Sequence, residues 1–142
     1  MLVKHAELTE KIIAAFYAVY NTLGTGFLEK VYRNALALEL AKRGLDAQIE
    51  VPIRVYYDGV EVGEYFADLV VQKCVLVELK AVEKVSGEHE AQLLHYLRAT
   101  DYEVGLFLNF GPEPVVRRKV LDAARKKPRG AIVPNKTGQV HN

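Results

Sequence analysis

The feature that most constrains this chain is a pair of short apolar runs, each carrying charge, within residues 66–80. Phe66-Ala67-Asp68-Leu69-Val70-Val71 ends in a turn-like Gln72-Lys73-Cys74, and Val75-Leu76-Val77-Glu78-Leu79-Lys80 follows. Short apolar runs rich in valine and separated by a turn read as the two strands of a hairpin. With Gln72-Lys73-Cys74 as a three-residue loop, Val71 faces Val75, and counting outward sets Asp68 directly opposite Glu78. Side chains alternate along a strand, so Glu78 and Lys80 share a face with Asp68, and Val70 and Leu76 lie on that face too.

Opposed residues sit about 4.5–5.5 Å apart at Cβ. Two carboxylates at that distance repel unless a cation lies between them, and burying an unpaired charge is costly. One or two carboxylates plus retained water is the habit of Mg²⁺, with Mn²⁺ as an alternative. Such an ion polarises a phosphate and acidifies a bound water. Lys80 beside it is suited to orient that water or to stabilise charge developing on the phosphate. This is the chemistry of phosphodiester cleavage. The plainer reading is a surface ladder of salt bridges made by Asp68, Glu78 and Lys80. Val70 and Leu76 weigh against it, because they make the face partly apolar.

The rest of the chain supplies a frame. At 142 residues it is expected to form one domain with a sizeable core. Residues 9–23 carry apolar side chains at helical spacing with Thr9 as an N-cap, and Gly24-Thr25-Gly26 breaks that helix. A second helix spans about residues 27–43 and stops at Gly44. Strands are expected at about residues 48–56, 60–71 and 75–82, with Asp58-Gly59 as the clearest hairpin turn. Ser86 caps a third helix over residues 87–100, and residues 104–109 form a short buried strand. Residues 114–121 read as either a final strand or a short helix, and a basic, flexible tail is expected over residues 122–142. Hairpins among the strands exclude a regular βαβ winding. A mixed α/β sheet flanked by helices is the expected class.

A net charge of +1 does not announce a nucleic-acid binder, and the single Cys74 excludes an internal disulfide or a Cys-rich zinc site. No apolar run is long enough for a membrane span and no signal peptide is visible, so a cytoplasmic location and no membrane partner are expected. Local basic charge is concentrated late in the chain. Arg117, Arg118, Lys119, Arg125, Lys126, Lys127 and Arg129 stand against Asp122 alone, a cluster suited to phosphates or to plain solvation. Glu29 sits at the edge of the apolar arc of the second helix, as an interfacial charge or as a group aimed beside the sheet. Gln92 and Tyr96, four residues apart on the third helix, share a face with His89 one turn earlier.

Taken together, Gly26-Phe27-Leu28-Glu29-Lys30-Val31-Tyr32, the Asp68 and Glu78-Leu79-Lys80 blocks, Ala91-Gln92-Leu93-Leu94-His95-Tyr96-Leu97 and Gly105-Leu106-Phe107-Leu108-Asn109-Phe110-Gly111 resemble, in order, the blocks of the GxxExxY proteins. That prokaryotic group lies in the PD-(D/E)XK nuclease superfamily, and the resemblance covers roughly residues 9–121. It implies a restriction-endonuclease-like core of order α-β-β-β-α-β. It implies Mg²⁺ bound by Asp68 and Glu78, a catalytic Lys80, and Glu29 completing the metal site. Gln92 and Tyr96 match a Q-x-x-x-Y pattern that positions substrate, and Arg117, Arg118 and Lys119 are the candidate nucleic-acid contacts. Ala67 stands where many relatives have proline. The implied function is a metal-dependent nuclease acting on DNA, with a homodimer as one way for so small a core to hold a duplex. The competing class is a catalytically inactive nucleic-acid-binding or regulatory module on the same fold.

Overall fold

The computed structural model describes residues 5–126. The elements run α1 (Ala6–Leu23), α2 (Glu29–Lys42), β1 (Ala47–Tyr57), β2 (Val60–Val71), β3 (Val75–Lys80), α3 (Gly87–Arg98), β4 (Val104–Phe110) and β5 (Pro114–Val120). The five strands form one sheet in the order β1-β2-β3-β4-β5. Only β3 and β4 are parallel, joined across the sheet by α3; the other neighbours are antiparallel. The ambiguous segment at residues 114–121 is therefore a strand. It pairs with β4 from Val104↔Val120 to Phe110↔Pro114.

Burial explains the patterning. Ile12, Phe16, Tyr32, Leu36 and Leu40 of α1 and α2 pack on one sheet face, against Leu69, Val77, Leu79, Leu108 and Phe110. Leu93, Tyr96 and Leu97 of α3 pack on the other, against Ile53, Val70, Leu76 and Phe107. Covered on both faces, β3 and β4 are near-continuous apolar runs. In β2 only the half nearer β3 is buried. No helix among the described residues is long and apolar enough to cross a membrane.

Two helix starts differ from the expectation. α1 begins at Ala6, and Thr9 lies inside it with its hydroxyl donating to the Ala6 carbonyl at 3.0 Å. A threonine bonding back to its own preceding turn looks like a cap in sequence, and here it is not one. α2 begins at Glu29, after a loop held by Tyr32. The Tyr32 hydroxyl donates to the Gly24 carbonyl at 2.6 Å and accepts from the Phe27 N–H at 3.2 Å. Its ring stacks on Phe110 at 4.5 Å.

Of the stretch read as a tail, residues 122–126 are described and pack on the domain, while residues 127–142 lie outside the described residues. A short 3-10 helix covers Ala123–Arg125. The Ala123 N–H donates to Glu103, and the Lys126 ammonium donates to the Thr100 and Tyr102 carbonyls.

Candidate active site

The hairpin register is the one counted from the loop, with Val71↔Val75, Val70↔Leu76 and Leu69↔Val77 paired. The ladder ends there, one pair short of Asp68 and Glu78. Beyond it the two side chains take over the bonding. Glu78 Oε1 accepts the Asp68 N–H at 3.0 Å, and Asp68 Oδ2 accepts the Leu79 N–H at 2.9 Å. The carboxylates thus span the gap between two parting strands and do not simply stand side by side on a face.

A change of face accompanies this. Ala67 and Val70 both pack on the α3 side, whereas Leu69 between them packs on the α1 and α2 side. Strict alternation would put Ala67 with Leu69, so the strand inverts at Asp68. Its neighbour β1 inverts at the matching point: Ala47 packs on the α1 and α2 side and Val51 on the α3 side. Between them Glu50 adopts a left-handed φ of 54°, and the pairs Ile49↔Leu69 and Val51↔Ala67 flank the inversion. Arg33 of α2 holds Glu50 with a 2.6 Å ion pair.

Both carboxylates are strained as anions. The Glu78 carboxyl is pushed up to about 8, first by burial and then by the charge on Asp68. Burial also raises Asp68, against the Leu79 N–H, which lowers it. Lys80 follows on the same strand, and its ammonium lies 3.6 Å from Glu29 at the first turn of α2. Among the described residues, no three His, Cys, Asp or Glu side chains are grouped closely enough to hold a metal by themselves. The local donor set is therefore the Asp68–Glu78 pair, with Glu29 one step removed and engaged by Lys80. Two adjacent hard oxygen donors fit Mg²⁺ or Mn²⁺, which complete their shells with water.

Lys80 opens into a cleft of about 390 Å³, lined also by Phe27, Glu29, Val82 and His89. Val82 on that lining is held by Asn109, a residue that carries no charge and is fully buried. The Asn109 amide accepts from the Val82 N–H at 3.0 Å and donates to the Val82 carbonyl at 3.0 Å. A Cβ at Gly111 would lie 1.8 Å from the Val82 carbonyl oxygen, so only glycine allows this approach. Asn109 was detectable in sequence as the lone polar side chain in an apolar strand.

On α3, Gln92 donates to the Tyr96 hydroxyl at 3.0 Å. Burial, followed by the charges of Glu78 and Asp68, pushes Tyr96 up to about 12. His89 stacks on Phe107 at 5.7 Å, and its Nδ1 accepts the Ser86 N–H at 3.3 Å. The basic residues of β5 do not form one surface. Lys119 is paired with Glu90 of α3 at 2.9 Å. Arg117 and Lys119 pair with Phe107 and Gly105, and Arg118 between them with Leu106. Phe107 packs on the α3 face and Leu106 on the opposite one.

A five-stranded mixed sheet, with a helix pair on one face and a crossover helix on the other, is a restriction-endonuclease-like α/β fold. The family model of the PD-(D/E)XK nuclease superfamily matches residues 6–120, and the chain belongs to that superfamily. The crystal structure of SSO0001 is similar in fold, with a TM-score of 0.50 and 24% identity over 84% of this chain. The match spans 61% of that protein's length. No curated protein matches.

Proposed function

We propose that the chain is a divalent-metal-dependent nuclease of the GxxExxY type that hydrolyses phosphodiester bonds, with DNA as substrate. One observation carries this reading. At the point where β2 and β3 part, Asp68 and Glu78 exchange hydrogen bonds with each other's strand, next to Lys80, within an otherwise apolar sheet centre. Two carboxyl groups retained there against the cost of burial call for a ligand.

Asp68 and Glu78 would hold Mg²⁺ or Mn²⁺, with Glu29 completing the site. When bound, the ion neutralises charge on the scissile phosphate and makes an attacking water more acidic. The chain's own part begins with Lys80. Its ammonium is shared with Glu29 at 3.6 Å and is free to turn to a non-bridging phosphate oxygen as substrate enters. There it offsets the charge that grows as water attacks the phosphorus in line with the leaving oxygen. Tyr32 ties the loop before α2 and so fixes where Glu29 begins. Asn109 fixes the backbone just after Lys80. Gln92 and Tyr96 hold the substrate strand from the α3 side. A second copy of the chain would help hold a duplex.

The test is cleavage of single-stranded DNA, duplex DNA and RNA under a titration of Mg²⁺ and Mn²⁺, with Lys80→Ala beside the wild type. Metal-dependent cleavage lost in Lys80→Ala supports the reading. Binding without turnover at any metal concentration would instead identify an inactive nucleic-acid-binding module.

A further inference from the structure

A second, larger concavity lies on the α3 side of the sheet. It measures about 690 Å³ and runs between α3 and the β1–β2 hairpin. Ile53, Val55, Ala91 and Ala99 give it apolar walls, and Gln92, His95 and Arg98 supply polar groups. Two aromatic rings dominate it. Tyr65 of β2 is half exposed, and its ring centroid lies 5.8 Å from that of Tyr96. His89 lines both this groove and the cleft of Lys80 and Glu29.

This lining suits bases better than a duplex backbone. A wall that tracks two phosphate strands needs a row of cations, and here Arg98 is offset by Glu88 on the same lining. An exposed aromatic face beside apolar walls, here that of Tyr65 with the buried Tyr96 behind it, is the usual platform for unpaired bases, which stack regardless of sequence. The volume falls in the range of pre-formed small-ligand sites and exceeds that of one base.

We propose that the groove between α3 and the β1–β2 hairpin binds an unpaired nucleobase, stacked on Tyr65, of a strand whose phosphate is held at Lys80. The proposal rests on the nuclease reading and narrows its substrate to single-stranded nucleic acid or a frayed end. Tyr65 supplies the stacking face, and the Gln92–Tyr96 pair supplies hydrogen-bonding groups at the inner end. A strand that enters base-first needs no second copy of the chain to clasp it.

Binding in Ca²⁺ separates this proposal from catalysis. The probes are a fluorescent oligothymidylate, the same strand carrying a run of abasic sites, and a blunt duplex, each measured with wild type, Tyr65→Ala and Tyr65→Phe. The expected result is tighter binding of the single strand than of the duplex and a loss of roughly tenfold on removing the bases. Tyr65→Ala should lose a similar factor on the intact strand and little more on the abasic one, while Tyr65→Phe binds like wild type. Equal wild-type affinity for intact and abasic strands overturns the proposal, and that comparison needs no variant to fold. Base-dependent binding without any metal-dependent cleavage would uphold the groove and sink the nuclease reading. Lys80-dependent cleavage with no preference for bases or single strands would do the reverse.

Discussion

Asp68 and Glu78 each bond to the other's strand: Glu78 Oε1 takes the Asp68 N–H at 3.0 Å, and Asp68 Oδ2 takes the Leu79 N–H at 2.9 Å. Each carboxylate is therefore both a structural bridge, replacing a ladder bond, and a candidate metal ligand. The two roles separate under substitution. Asp68→Asn keeps an oxygen for the Leu79 N–H and removes the charge, so the metal-free protein should be as stable as wild type or more so. Asp68→Ala leaves that N–H without its acceptor and should cost about 1–3 kcal/mol. Urea unfolding of the two variants in EDTA measures the difference. Equal destabilisation by both would show that the bridge contributes nothing.

The raised carboxyls give stability a pH dependence of definite sign. In the folded protein Glu78 keeps its proton up to about 8, while in the unfolded chain it loses it near its ordinary value of 4.5. Its contribution to stability is full below the lower value, falls as pH rises, and is gone above the higher one. Asp68 shifts in the same direction. The melting temperature in EDTA should thus fall as pH rises through this window, and Glu78→Gln should flatten the fall. Divalent ions need the anionic forms, so the Mg²⁺-induced rise in melting temperature should grow over the same interval. A Mg²⁺ effect that shrinks toward high pH would contradict this.

Tyr32 links core to site. Tyr32→Phe keeps the stack on Phe110 and removes the bonds to Gly24 and Phe27. We expect a loss of about 1–2 kcal/mol in stability. Cleavage should fall as well, because Glu29 starts its helix from that loop. Full activity in this variant would show that Glu29 needs no such anchor.

The C-terminal residues beyond the docked Lys126 include Lys127, Arg129 and Lys136. If they track phosphates, deleting residues 127–142 should flatten the salt dependence of DNA binding by roughly one to two units of logarithmic slope. The metal-induced stabilisation should survive the deletion. An unchanged slope would assign the phosphate contacts to the folded domain.

Much of this was legible in the sequence, for identifiable reasons. The strand order follows from apolar runs punctuated by Asp58-Gly59 and Gln72-Lys73, turn residues that all take positive φ. The register of β2 on β3 follows from the loop length. What sequence could not reveal is the inversion at Asp68, because it depends on a left-handed glutamate, Glu50, in the neighbouring strand. Pairings between distant elements were equally hidden. The ion pair of Lys119 with Glu90 and the two backbone carbonyls that receive Lys126 both join segments far apart in the chain. The groove over Tyr65 was invisible for the same reason, since its walls come from α3 and a hairpin far from it in sequence.

The most direct test of the central claim is metal-dependent hydrolysis of a labelled single-stranded DNA by wild type and Glu78→Gln, at millimolar Mg²⁺ and at Mn²⁺. Glu78→Gln preserves size and a carbonyl oxygen for the Asp68 N–H, so it should fold. The account predicts cleavage by wild type that EDTA abolishes, and a loss of at least about a hundredfold in Glu78→Gln. Equal cleavage by the two proteins, or wild-type cleavage that survives EDTA, would contradict it.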